Sequence, residues 1–408
     1  MKILMAGQTW GPLNGPGVFT ARLARGLVER GDEVTVAVPA ERFAPTRAID
    51  GGVSLAGIPA IELRPLYPDV RVTPAPGRAV QRLLEEIRPD VVHIQDHFPL
   101  SRSVARTASS MNIPLIASNH FVPENIVPHV PLISRSKIGQ KTLERFLWWM
   151  VARVFGKAKV ATSPTETAAA LLRKHLDGVP VHAISCGVDH SRFAVGEDRS
   201  KDVRSRLELD PSDVVFIYVG RLDYEKRVEV LLEAMARTTE SRLRLIIAGR
   251  GREATNLKRL AERRGISQRV LFVGFVAEED LPALLTAADF FAMPGDVELQ
   301  SIATLEAMAA GLPVLAANAG ALPELVEDGV NGALFRANDP DDAAAEMEKL
   351  SAAIGVHYGA MSAESLRRTR AHAIELTVEA YSELYASVVG ATGGSHAVGR
   401  DSPRKAPA

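Results

Sequence analysis

Short, continuous apolar runs rich in Val and Ile alternate along this chain with longer stretches of helical periodicity. In the first half the runs are 2–7, 33–39, 91–96, 114–120, 159–164 and 181–187. The second half begins afresh at Val214, with 214–220, 243–249, 270–275, 289–294, 313–318 and 332–336. Strands that are apolar on both faces belong to parallel sheets covered by helices on both sides. The intervening helices show the matching pattern, as in 18–31, where apolar positions recur every three or four residues. A length of 408 residues exceeds one ordinary core, so two such domains are expected. The polar, charged segment 190–212 marks the boundary. The expected division is 1–195 and 205–370, then a helix over 371–390 and a disordered tail over 391–408, which lacks apolar periodicity. Two doubly wound domains facing each other bind ligands in a cleft at the carboxyl ends of their strands.

Bulk properties narrow the function. The formal net charge is -1, so no overall field attracts nucleic acid or an anionic membrane. The single cysteine, Cys186, excludes an internal disulfide framework and fits a reducing cytosol. MKILMAGQTWG reads as a first strand, because a signal peptide needs a longer apolar stretch. No apolar run approaches the roughly 20 residues that cross a bilayer. The expected location is the cytoplasm, at most peripheral at the inner face of the membrane.

Three constellations carry chemistry. The glycine-rich turn 11–17 follows the first strand and opens a helix, an arrangement that can bring backbone amides close to an anion or serve turn geometry alone. In YVGRLDYEKRVEVLLEA (218–234) a strand ends at Gly220, and Arg221 and Lys226 flank a loop leading into a helix. Two cations there suit a diphosphate, or form an ordinary solvated loop. In ELQSIATLEAMAAGLP (298–313), the amides of Gln300, Ser301 and Ile302 lie at a helix start and can face a phosphate. Glu298 and Glu306 stand at most roughly 12 Å apart along the axis, a span matching a nucleotide sugar.

Glu298-x7-Glu306 followed by AMAAGLPVLAANAGALPELV resembles the retaining glycosyltransferases of family 4, which have the GT-B fold. The resemblance runs along most of the chain. The segment 218–234 resembles the family's G-R-x-x-x-x-K-G, with Arg227 in place of Gly. AISCGVDHSRF is similar to P-N-G-V-D-x-x-x-F, with Ser185 and Cys186 in place of Pro and Asn. Residues 273–294 resemble the family's segment ending in A-D-v-f-v-x-P, and NGPGV resembles P-G-G-V with Pro16 in place of the first Gly.

The resemblance implies an α/β fold of the GT-B type. Two Rossmann-like, doubly wound parallel-sheet domains face a deep cleft, and a C-terminal helix crosses back to the first domain. Residues 371–389 fit that helix, with Tyr381 and Tyr385 as packing residues. The family roles place Arg221 and Lys226 on the donor diphosphate beside Gly220, Glu306 on the ribose and Glu298 on the transferred sugar. They place Gln300, Ser301 and Ile302 at the phosphates, Phe275 and Val276 at the base, and Gly17 over the diphosphate from the first domain. Pro16 has no N–H to offer there. His120 matches a histidine near the anomeric carbon; the alternative is a buried histidine bonded to backbone.

His93 and His97 read H-x3-H, but on a strand that spacing does not converge on a metal. No Asp-x-Asp occurs, which agrees with a diphosphate neutralised by Arg, Lys and amides, with no metal and no cofactor. The segment 134–159 holds seven cations, Arg135 and Lys159 at its ends among them, against Glu144, together with Trp148 and Trp149. It can lie on an anionic membrane, or form a helix whose tryptophans pack inside. The Pro-rich loop 119–133 is expected on the acceptor side.

The expected activity is transfer of a hexose from a nucleotide diphosphate sugar, UDP favoured over GDP, to a hydroxyl with retention. The acceptor is a lipid such as diacylglycerol or phosphatidylinositol, or a soluble small molecule. Epimerase or phosphorylase chemistry on the same fold is one alternative. A non-catalytic nucleotide-sugar-binding partner or sensor is another.

Overall fold

The structure, a computed structural model, describes residues 1–12, 14–62, 71–123, 127, 136–193 and 197–393. The strands of the first half are β1 (Lys2–Ala6), β2 (Glu33–Pro39), β3 (Thr46–Asp50), β4 (Val53–Ile58), β5 (Ile61–Glu62), β6 (Arg71–Val72), β7 (Val91–Ile94), β8 (Leu115–Ser118), β9 (Val160–Ser163) and β10 (Val181–Ala183). Its helices are α1 (Gly15–Glu29), α2 (Gly77–Ile87), α3 (Pro99–Ser110), α4 (Lys137–Phe155) and α5 (Glu166–Arg173). After α6 (Glu197–Arg206) the second half supplies β11 (Val214–Val219), β12 (Leu243–Ala248), β13 (Val270–Gly274), β14 (Phe290–Met293), β15 (Val314–Ala317) and β16 (Gly332–Phe335). Between and after them lie α7 (Val228–Arg237), α8 (Ala254–Arg263), α9 (Leu281–Thr286), α10 (Ile302–Ala309), α11 (Leu322–Leu325), α12 (Pro340–Ala353), α13 (Tyr358–Thr369) and α14 (Ile374–Gly393).

The first sheet has the order β10-β9-β8-β7-β1-β2-β4-β3 and the second β13-β12-β11-β14-β15-β16. Every pairing in them is parallel except that of β3 with β4. Strands β1, β7, β8, β11, β14 and β15 are buried almost throughout, as continuous apolar runs between helix layers must be. Both sheets reverse their order next to their first strand, between β1 and β7 and between β11 and β14. Loops leaving the carboxyl ends of those strands flank the crevice where this architecture binds ligands.

The sequence reading missed β3, β4, β5 and β6. Strand β3 is polar and exposed at the sheet edge, so it has no apolar run to betray it. The hairpin turns on Gly51 and Gly52, both with positive φ, where glycine carries no steric cost.

Helix α14 runs back to the first sheet. Tyr381 and Tyr385 are fully buried there, in one cluster with Ile3, Met5, Phe19 and Ile116. The Tyr381 hydroxyl lies 3.0 Å from Ser118 Oγ and 2.9 Å from Thr162 Oγ1. That of Tyr385 lies 2.8 Å from His93 Nδ1. A small residue makes the crossing close: a Cβ on Gly26 of α1 would come within 2.5 Å of Val378. Among the described residues no helix is long and apolar enough to cross a membrane. Residues 394–408, most of the expected tail, lie outside the described residues, as do Arg135 and most of the 119–133 loop.

Candidate active site

Strand β11 leads into Gly220 and Arg221 and β14 into the loop 294–301, and the order reversal brings these two loops side by side. Lys226 Nζ donates to Glu298 Oε1 at 2.6 Å across them, both largely buried. The pair spans the residues expected at the diphosphate and at the sugar. Arg221 pairs with Asp223 and Glu225, and its side chain is two-fifths exposed. Arg227 adopts the left-handed backbone, φ 52°, a conformation that favours glycine. Its side chain is anchored by Asp296 at 3.1 Å and lies over the Tyr224 ring. Asn338 donates to the same carboxylate at 2.9 Å.

Glycine spacing in this corner is set by close packing. A Cβ on Gly249 would stand 1.8 Å from the Gly220 carbonyl oxygen. One on Gly220 would stand 2.6 Å from the Tyr218 hydroxyl, which donates to the Arg221 carbonyl at 2.7 Å. Beside it, Arg250 lies 4.2 Å over the half-exposed Phe275 ring, next to Val276.

Helix α10 starts at Ile302 with Ser301 as its cap, whose side chain accepts from Thr304 N. Helix geometry leaves the amides of Ile302 and Ala303 without an intrahelical acceptor. The Gln300 carboxamide turns the other way. Its oxygen accepts from Cys186 N at 2.7 Å, and its nitrogen donates to Ser185 Oγ at 3.1 Å. Cys186 is buried, and burial pushes its thiol up to about 12, so it packs as a small apolar residue.

Glu306, one turn into α10, is paired with Arg22 of α1 in the other half of the chain. The Arg22 and Glu306 side chains are 11% and 9% exposed, and Arg22 Nη1 is buried with no hydrogen-bond partner among the described residues. Further bonds join the halves nearby. Thr165 Oγ1 donates to the Leu299 carbonyl at 2.8 Å, and Glu324 accepts from the Thr167 amide at the start of α5 at 2.7 Å. None of these cross-half partners was anticipated from sequence. Arg22 is one of many arginines, and nothing local marks its partner 284 residues away.

From the first half, Gly17 sits in the opening turn of α1, where its amide donates to the Asn14 side chain at 2.9 Å. A Cβ there would lie 2.6 Å from the Gly11 carbonyl oxygen, so local turn geometry alone requires glycine. Gly15 faces Ile302 across the halves. His120, just past β8, packs 4.8 Å from the Phe19 ring, and its Nε2 lies 3.3 Å from Gln95 Oε1. Burial pushes its pKa down to about 4, so the ring is neutral. His93 and His97 diverge. His93 sits between Tyr385 and Ser118, and His97 stacks on Phe98. Among the described residues no group of three or more His, Cys, Asp or Glu could hold a metal ion.

On α4 the two tryptophans part company. Trp148 is buried and stacks on His175, while Trp149 is 52% exposed. The reading that packs both inside therefore holds for Trp148 alone.

Two facing doubly wound sheets with this crossing helix define the GT-B class of fold. The chain belongs to the glycosyltransferases: residues 13–192 match Glycosyltransferase Family 4 and residues 200–353 match Glycosyl transferases group 1. It is 30% identical over 363 residues to a D-inositol 3-phosphate glycosyltransferase 2 of Catenulispora acidiphila, covering 81% of this chain and 80% of that one. It is 27% identical over 268 residues to an alpha-monoglucosyldiacylglycerol synthase of Streptococcus pneumoniae, covering 64% of this chain and 59% of that protein. Among solved structures, Anabaena HepE in complex with UDP-glucose superposes with a TM-score of 0.74 at 20% identity, over 95% of this chain and all of that one.

Proposed function

We propose that the chain transfers a hexose from a nucleotide diphosphate sugar to a hydroxyl acceptor, with retention and without a metal ion. The observation that carries this reading is the Lys226–Glu298 pair at the strand-order reversal, beside the first-turn amides of α10, which have no intrahelical acceptor. In this reading residues 205–370 hold the donor and residues 1–195 the acceptor. Lys226, Arg221 and the amides of Ser301 and Ile302 stabilise the charge that develops on the departing diphosphate. Glu298 takes hydroxyls of the sugar and Glu306 those of the ribose. Phe275 and Val276 receive the base, with Gly17 and His120 closing from the first half. The acceptor hydroxyl attacks from the leaving-group face, and a donor phosphate oxygen takes its proton. UDP is the favoured carrier, which agrees with the UDP-glucose in the HepE structure.

A lipid hydroxyl such as that of diacylglycerol is the favoured acceptor, in keeping with the name of the Streptococcus relative. A soluble acceptor is the second reading, favoured by the inositol phosphate relative, which matches over 80% of its length. The test is nucleotide release from a panel of UDP- and GDP-sugars, with diacylglycerol vesicles or inositol phosphates as acceptors. Release that depends on one donor and one acceptor class is expected. No release and no transfer with any pair would overturn the proposal.

A further inference from the structure

Some exposed arginines of this protein carry an acid partner, as in Arg47–Glu86, Arg173–Glu166, Arg242–Glu240 and Arg367–Glu364, and others, such as Arg78 and Arg82 of α2, carry none among the described residues. One face of α4 combines unpaired cations with exposed apolar side chains. Lys141, Arg145 and Arg153 are exposed there, with Lys157 just past the helix end, and none has an ion-pair partner among the described residues. Interleaved with them are Ile138, 81% exposed, Phe146, 51% exposed, and Trp149. From Ile138 to Arg153 these side chains fall within about 140° of arc and span roughly 22 Å of axis. The opposite face already supplies the core with Leu147, Trp148, Val151, Val154 and Phe155, so core packing does not need the exposed rings. Phe146 and Trp149 stack on each other at 5.8 Å, and Arg153 lies 5.2 Å over the indole, which keeps an apolar and cationic surface together.

We propose that this face of α4 docks the protein on an anionic phospholipid bilayer, with the helix in the interface plane. Rings and the isoleucine enter the headgroup boundary while the unpaired cations meet lipid phosphates. Charge complementarity selects this occupant: a protein partner would need acids matched to each cation, whereas an anionic bilayer offers them everywhere. Topology fits the role. Helix α4 connects β8 to the parallel strand β9, so its start lies at the carboxyl end of the sheet, the end that carries His120. The consequence for the acceptor rests on the transferase reading: a bilayer held at that end presents lipid hydroxyls to the first half.

The test uses the full chain, floated with phosphatidylcholine vesicles and with phosphatidylcholine–phosphatidylglycerol vesicles. Tryptophan fluorescence, compared between the parent and the Trp149→Ser variant, and UDP binding are read on the same samples. Flotation only with the anionic vesicles is expected, falling as salt is raised. Lys141→Ala and Arg145→Ala should each weaken it about fivefold. Phe146→Ser with Trp149→Ser should abolish it and leave UDP binding unchanged. Equal binding to neutral vesicles, no binding to anionic ones, or variants that float like the parent would overturn the proposal. So would a dimer in solution that is lost in the Trp149→Ser variant. Vesicle binding without UDP binding would instead count against the transferase reading alone.

Discussion

Arg22 and Glu306 form an ion pair across the two halves of the chain, both side chains about nine-tenths buried. Glu306 is also the residue proposed for the ribose, so one carboxylate serves a cross-half contact and a ligand position. Removing one partner strands a buried charge. Arg22→Met and Glu306→Gln should each cost about 3 kcal/mol in denaturant unfolding. The double variant should cost less than the sum by more than about 1 kcal/mol. Additive losses would show that the pair contributes nothing as a pair.

Lys226→Ala and Glu298→Ala should each lower kcat/KM by about 10²–10³-fold, the scale of about 2–4 kcal/mol for one lost transition-state contact. Both residues are pinned by each other at 2.6 Å, so circular dichroism should confirm the fold in each variant. Near-normal turnover in both removes the assignment.

Treatment with EDTA followed by desalting should leave the transfer rate within about twofold, because cations and helix amides neutralise the leaving diphosphate in the proposed mechanism. Recovery of activity only on adding magnesium or manganese would contradict it.

Burial holds His93, His97 and His120 neutral, with pKa values pushed down from 6.5 to about 3, about 4 and about 4. The unfolded chain therefore binds more protons than the fold in this window, and stability rises with pH. It is fully present above pH 6.5 and is lost as pH falls toward 4. Each histidine should cost roughly 2 kcal/mol between pH 6.5 and about pH 5. Urea midpoints should fall accordingly, and His97→Phe should flatten the slope by one proton. A parent midpoint constant across the window would exclude the effect.

Gly249→Ala should destabilise by roughly 3 kcal/mol or more, since its Cβ would meet the Gly220 carbonyl at 1.8 Å and φ is +147°. A thermal midpoint equal to the parent's would mean that β11 and β12 yield at their carboxyl ends.

Much of this architecture is legible in the sequence because buried parallel strands are long apolar words. Each run from KILMAG to GALFR became a strand, nearly all of them shorter than the run at one end or both. His120, Ser118 and Asn119 show why: β8 stops at Ser118, and Asn119 turns its amide to the Phe121 carbonyl. Hidden from sequence were the elements defined by partners elsewhere. Strand β3 is polar and known only by its pairing with β4. Arg22, Gln95 and Glu324 are ordinary polar residues until folding brings Glu306, His120 and the start of α5 to them. Exposure is equally silent locally. Trp148 and Trp149 are neighbours in the chain, and only the phase of α4 decides which one meets the core.

Because Tyr381 and Tyr385 fill the interior beside β1, β7 and β8, the half of the molecule made first is completed by a helix made much later. On a nascent chain, Ile3, Met5 and Phe19 lack the cover of Tyr381 and Tyr385 until α14 has emerged. A chain cut after β16 loses the lid of its oldest core, far from the cut.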